Sequence, residues 1–199
     1  MPFRPLPLLF LLLLTWSVPS NAQNSKLFDI EIAKIKVGNL IVEKVQKDSL
    51  SIYIFKSEVD AWLLVHIRVS HLITCVYKND KLLKANIHSI INNKTYLSSI
   101  EWKKDHYDYD CSTYKYHKAG STTENIDFSV VTMYFTEPLG KKQIFAENYG
   151  LFTPLQYLPH SAYRIDVEKN RNTFQYLNGV LQKVEMETPL FNYTIRQKP

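Results

Sequence analysis

Glycine is scarce, five residues in 199. With no period among them, collagen-like and glycine-rich repeats are excluded. The glycines are also too dispersed for chemistry that needs them clustered: no G-x-G-x-x-G, P-loop or G-x-S-x-G occurs. Cysteine is rarer still, Cys75 and Cys111 only, and there is no C-x-x-C and no H-E-x-x-H. No Pro/Ser/Gly-rich stretch separates two halves, so one domain is the simplest organisation. After the first 22 residues no apolar run reaches the ~18 residues a membrane-spanning helix needs. Charge is close to balanced, +5 from 24 basic and 19 acidic residues. The pairs Lys103-Lys104 and Lys141-Lys142 are too short to form a nucleic-acid groove. The hydrophobic content of 45%, with 13% aromatics, excludes a disordered chain.

The first 22 residues read as a secretory signal peptide. Arg4 supplies a basic start, Leu8 to Leu14 an apolar stretch, and Ser20-Asn21-Ala22 small residues three and one before a cut. The spacing predicts cleavage between Ala22 and Gln23. An uncleaved anchor is the competing reading, but the stretch falls short of the ~20 residues that span a bilayer and Pro19 interrupts it. The expectation is a signal peptide over 1–22, then a single antiparallel β domain over 23–199. That domain is exported, periplasmic or secreted, and not transmembrane.

The mature chain is dominated by alternating Ile, Val, Tyr and Phe, which is strand chemistry. Phe28, Ile30 and Ile32 alternate with Asp29 and Glu31, and Val37-Gly38-Asn39 predicts a turn. Leu50, Ile52 and Ile54 oppose Tyr53 and Phe55. The longest run, Trp62 to Lys78, places Val65, Ile67, Val69, Ile73, Cys75 and Tyr77 on one parity, with His71 the polar exception. Asn79-Asp80 and Asn92-Asn93 are turn signals, and Asn178-Gly179 is the clearest hairpin, since both central residues of a type I′ turn need φ > 0. Asp105 to Lys118, rich in Tyr, Asp and His, fits two short strands around Cys111-Ser112-Thr113 or a loop. Tyr149 to Ser161, with Pro154 and Pro159, reads as loop.

The best helix candidate is residues 122–136. Ser121 and Glu124 match a capping box, and Ile126, Val130, Met133 and Tyr134 keep helical spacing. A strand competes, because Val130 and Val131 are β-branched. Together these elements predict a mostly β fold of roughly nine to eleven strands, a strongly curved antiparallel sheet or incomplete barrel, with one helix across its concave side or open end. Curling protects the edges of so long a meander.

Several of these stretches carry a resemblance. Phe28-Asp29-Ile30-Glu31-Ile32 with Val37-Gly38-Asn39-Leu40, and Phe174-Gln175-Tyr176-Leu177-Asn178-Gly179-Val180-Leu181 with Val184, resemble a family of secreted, uncharacterised Bacteroidota proteins, a domain of unknown function. Cys75-Val76-Tyr77 through Asn92-Asn93-Lys94 fits less tightly. The resemblance implies a strongly curved antiparallel sheet, somewhat similar to the lipoprotein-carrier folds that hold acyl chains, and it brings no activity with it.

Two cysteines in an exported chain permit a Cys75–Cys111 disulfide; two separate thiols are the alternative. Asp105, His106, Asp108, Asp110 and His117 have the donor types of a metal site but match no calcium-loop spacing, so a solvated loop is the simpler reading. No catalytic residue, cofactor or metal ligand is assigned. The leading functional expectation is a non-catalytic module binding a lipid or other amphipathic small molecule in the curved sheet. The alternative is an envelope structural or protein-interaction module, and a third reading is an unrecognised hydrolase using His66, His71 or His106. Oligomeric state is left open.

Overall fold

The computed structural model describes residues 23–62, 65–189 and 191–198. The expected leader, including Ala22, lies outside them.

Fourteen strands form one antiparallel sheet. The first eight, β1 (Gln23–Ile32), β2 (Ile35–Lys47), β3 (Leu50–Trp62), β4 (His66–Lys78), β5 (Lys81–Ile91), β6 (Lys94–Trp102), β7 (Tyr107–Thr113) and β8 (Tyr116–Thr122), run outward as a meander. The chain then crosses to the far edge through a single helical turn, α1 (Val130–Met133). It returns as β9 (Gln143–Ala146), β10 (Leu151–Leu158), β11 (Ala162–Val167), β12 (Asn170–Leu177), β13 (Val180–Glu187) and β14 (Tyr193–Gln197). β14 pairs with β1, Ile30 opposite Ile195, so the two meanders join at the first strand.

The free edges β8 and β9 are brought together by curvature. Tyr116 of β8 donates its hydroxyl to the Tyr149 carbonyl at 2.7 Å, and the Cys111 thiol reaches the Glu147 carbonyl at 3.6 Å. Gly150, at φ +59°, allows this approach: a Cβ there would lie 2.9 Å from Cys111 Sγ. The sheet therefore closes on itself like a barrel by side-chain contact rather than by a ladder. That conceals edges that would otherwise template aggregation.

The registers place Thr122 and Gln143, the two ends of the crossing, at the same end of the sheet. The crossing covers that end as a floor. Ile126 accepts from the Leu82 N–H at 2.9 Å on one side, and Met133 accepts from the Tyr176 hydroxyl at 2.6 Å on the other. Ile126, Val131, Met133 and Tyr134 are buried by it. The opposite end, where the β1–β2, β5–β6, β7–β8 and β11–β12 connections lie, is the mouth.

The expected architecture holds, and four details of it are corrected. Most of residues 122–136 is not helix. Ile126 and Phe128 give their carbonyls to Leu82 and Phe145, so those groups cannot enter an intrahelical ladder. Ser121 belongs to β8, and the reciprocal cap is instead Ser129 with Thr132: Ser129 N–H donates to Thr132 Oγ1 at 3.0 Å. The strand number is fourteen because segments read as ambiguous or as loop also pair. Within 149–161, Pro154 is the last residue of the β9 ladder, opposite Gln143, just before the β11 ladder starts at Leu155, and at that ladder end its missing N–H costs little. Gly38 is inside β2, not at a turn; the turn is Ala33-Lys34, both at positive φ. Trp62 ends β3 rather than opening the next strand.

Asn79-Asp80, Asn92-Asn93 and Asn178-Gly179 are all positive-φ pairs between strands, as their composition predicts. The aromatic parity of β3, Tyr53 and Phe55, faces inward. Two clusters fill the barrel: one is built on Phe28, Leu40, Tyr163 and Phe174, the other on Tyr77, Leu82, Ile100 and Tyr107.

Candidate functional site: a lined cavity between floor and mouth

On β12 and β4 the inward stripe is bulky near the floor and less bulky or more polar toward the mouth. On β12 it runs Tyr176, Phe174, Asn172, Asn170; on β4 it runs Tyr77, Cys75, Ile73, His71, Val69, Ile67. The upper interior is consequently not filled. A cavity of about 300 Å³ remains, which is at the low end for small-molecule sites. Its apolar wall comes mainly from β1, β3 and β4, including Ile30, Phe55, Val59 and Ile67, and from Ile195 of β14. Val130, Val131 and Tyr134 of the crossing line its lower part.

Its polar lining centres on the turn after β9. Glu147 is buried, and its carboxylate accepts from Val131 N–H at 2.7 Å, Val130 N–H at 3.2 Å and the Ser129 hydroxyl at 3.0 Å. The two N–H donors are free groups at the start of the helical turn, and the third is the hydroxyl of its N-cap residue. Burial pushes the carboxyl upward in pKa, while its own backbone N–H and the three donors pull it back.

His71 faces the same cavity. Its Nδ1 is 2.8 Å from the Ser89 hydroxyl, on the residue directly opposite in β5. Burial lowers its pKa to about 4, and the Asn148 side chain pulls the other way. At neutral pH the ring is therefore uncharged. Asn148 and Asn172 also line the cavity, and the side-chain oxygen of each is buried without a hydrogen bond of good geometry. No Lys or Arg is among the lining residues described.

The three histidines singled out from the sequence are not brought together. His66 stacks on Trp62 at 4.3 Å, pairs with Asp60 and sits at the mouth. His106 is held between Asp105 and Asp108 in the β6–β7 connection, where the neighbouring carboxylates, Asp105 first, raise its pKa. His117 pairs separately with Asp110. No cluster of metal-ligating side chains forms among the described residues. His71 has a serine on its ring but no carboxylate within hydrogen-bond reach, and Ser89 does not line the cavity, so the pair is not arranged as a nucleophile and base.

Cys75 and Cys111 stand in this structure as free, buried thiols, the second of the two readings that the sequence permits. They stand on β4 and β7, three strand spacings or about 14 Å apart along the sheet, beyond the reach of an S–S bond. Burial raises both thiols, Cys111 to about 12, so neither is a ready nucleophile. Sequence reasoning missed Glu147, Asn148 and Asn172. His71 was visible as the break in an apolar parity; Asn172 could have been found the same way on β12. Nothing local marks Glu147.

No described helix is long and apolar enough to cross a membrane. No curated protein matches the chain. Among solved structures, the chain is similar to a beta-barrel-like protein of the domain of unknown function DUF1849 from Brucella abortus. The TM-score is 0.51 at 13% identity, covering 89% of this chain and 96% of that one, which is a likeness of fold. The family model for the domain of unknown function DUF6134 matches residues 28–198, and the chain belongs to that family.

Proposed function

We propose that this protein is an exported, non-catalytic binding module that takes an apolar or amphipathic small molecule into the barrel through its mouth. The observation that carries this is the cavity itself: about 300 Å³ of unfilled interior with a mainly aliphatic and aromatic lining, in a sheet otherwise packed to its floor. Native interiors close-pack, and apolar walls left facing such a space stay in contact with water unless an apolar ligand covers them. Native mass spectrometry of the protein purified from its own host tests the reading. A discrete bound mass of lipid size is expected. A clean apo mass, together with no uptake of a fluorescent acyl probe, overturns it.

The mouth favours a second, compatible reading, docking on another envelope component. Ile35, Trp62 and Val65 stand at this end with 68%, 77% and 62% of their surface exposed. An apolar rim suits contact with a membrane or a protein that supplies or receives the ligand. Replacing Trp62 and Val65 with Ser tests it. Slower ligand exchange with vesicles at unchanged affinity is expected, and unchanged exchange rejects it.

A further inference from the structure

We infer that this cavity is a channel for one unbranched hydrocarbon chain, laid lengthwise between mouth and floor, and not a site for a two-chain lipid or a fused ring system. The inference rests on the binding reading above and names the shape class of the ligand of the same site.

The length comes from the strands. Four successive inward positions of β4, Ile67, Val69, His71 and Ile73, all line the cavity. From Ile67 to Ile73 is six residue steps, or about 20 Å at about 3.3 Å per step. The lining also reaches both ends. Ile32, the last residue of β1, and Thr188, just past β13, belong to the mouth, while Val130 and Val131 belong to the floor.

The width follows from the volume. About 300 Å³ spread over about 20 Å leaves a mean cross-section of about 15 Å². A chain whose carbons keep the usual contact separation of about 4 Å from their neighbours occupies about 16 Å². One chain matches that section. Two chains side by side need twice as much, and a fused ring system is also wider than one chain. With C–C bonds of about 1.5 Å, an extended chain advances about 1.3 Å per carbon, so the channel holds about fifteen carbons.

Much of the polar lining is engaged by the protein itself. Glu147 takes its three donors, His71 Nδ1 meets the Ser89 hydroxyl, and the Tyr149 hydroxyl accepts from Asn170 Nδ2 at 2.9 Å. Apolar contact along the length therefore carries most of the recognition, and it grows with each methylene buried.

The test is a series with one head group: octyl-, decyl-, dodecyl-, tetradecyl- and hexadecylphosphocholine, each below its micelle concentration. They are titrated into the mature protein and followed by native mass spectrometry and by competition with a fluorescent acyl probe. Affinity is expected to rise about fourfold per methylene and to level off between the dodecyl and hexadecyl chains, where the channel is full. Dioctanoylphosphatidylcholine, with the same head and as many acyl carbons as the hexadecyl probe, is expected to bind at least about tenfold more weakly than that probe. Ile73→Phe and Val130→Phe fill the deep end from two different walls, and thermal denaturation checks that each variant folds. In each, the hexadecyl probe is expected to lose about tenfold while the octyl probe keeps its affinity. The two-chain lipid binding as tightly as the hexadecyl probe, or affinity rising through hexadecyl with both variants silent, overturns the single-chain inference and leaves the cavity reading standing. A co-purified molecule with two chains or a fused ring does the same. Failure of every probe, with no co-purified molecule, instead removes the reading on which the inference rests.

Discussion

The Glu147 side chain accepts the backbone N–H of Val131 at 2.7 Å. With the bonds from Val130 N–H and the Ser129 hydroxyl, it ties the turn after β9 to the floor of the barrel. A helical turn of four residues has no stability of its own, since nucleation costs more than one turn returns. α1 persists because Glu147 and Ser129 satisfy its free donors and because Val131 and Met133 are buried beneath the sheet.

Replacing Glu147 with Ala should therefore be among the most damaging single changes. It leaves Val130 N–H, Val131 N–H and the Ser129 hydroxyl without an acceptor inside the protein, a loss of roughly 2–4 kcal/mol. Glu147→Gln keeps one acceptor oxygen and should cost less. Urea denaturation of the two variants beside the wild type measures both. Equal losses would mean that the carboxylate's bonds do not hold the floor.

Stability should carry a pH signature from His71. Its folded pKa is lowered to about 4 from an ordinary 6.5. The unfolded chain therefore binds more protons between those values, and stability falls as pH drops from 6.5 toward 4. The full effect is at most about 3 kcal/mol. Glu147 works in the opposite sense: its raised pKa favours the folded state on acidification and takes stability away as pH rises from its ordinary 4.5 through the folded value. The clean quantity is the difference between wild type and His71→Gln, which keeps a hydrogen-bonding group for Ser89 but does not titrate. That difference should change between pH 6.5 and 4; a flat difference would place His71 in solvent.

Glycine substitutions separate two causes of damage. A Cβ on Gly38 would lie 2.2 Å from the Glu58 carbonyl oxygen and 2.9 Å from Val59 Cγ2, so Gly38→Ala must push β2 from β3. A loss above about 2 kcal/mol is expected. Gly140 has nothing within 4 Å of such a Cβ but sits at φ +72°, so Gly140→Ala should cost only about 1 kcal/mol, from backbone strain alone. Thermal or chemical denaturation ranks the pair, and the reverse order would refute the close approach of β2 and β3.

The thiols offer a quick check on the interior. Both should resist Ellman's reagent in the native protein and react fully in denaturant, without reductant. Detection of fewer than two thiols after unfolding would restore the cross-link.

Much of the fold was legible in the residues. The strand parities of β1, β3 and β4 were readable because an inward side chain recurs every second residue and the core selects for it. The hairpin turns were readable at Asn79-Asp80, Asn92-Asn93 and Asn178-Gly179 because few residues tolerate positive φ. The 122–136 segment misled for a physical reason. Ile126, Met133 and Tyr134 are buried, and Val130 partly so, because the segment crosses a floor, and a buried crossing can mimic helical spacing without helical bonds. Pro154 misled because its cost depends on which ladder its N–H would have joined.

The candidate site was the least legible part. Glu147 looks like any charged residue after a short strand. Its role exists only because β9 crosses back beside the crossing that begins after β8, 16 to 18 residues earlier in sequence at the hydrogen bonds themselves. Asn148 and His71 meet across a separation that no periodicity encodes.

The sequence by itself determined an antiparallel β domain that must curl, because alternating apolar runs without linkers leave a long meander whose edges need cover. Only the tertiary structure decided that the edges β8 and β9 meet without a ladder, that the crossing becomes a floor, and that the space above it stays open. Those outcomes depend on how far the sheet bends and how completely its inward side chains fill the interior. Local propensity specifies neither; each is set by the packing of distant strands against one another.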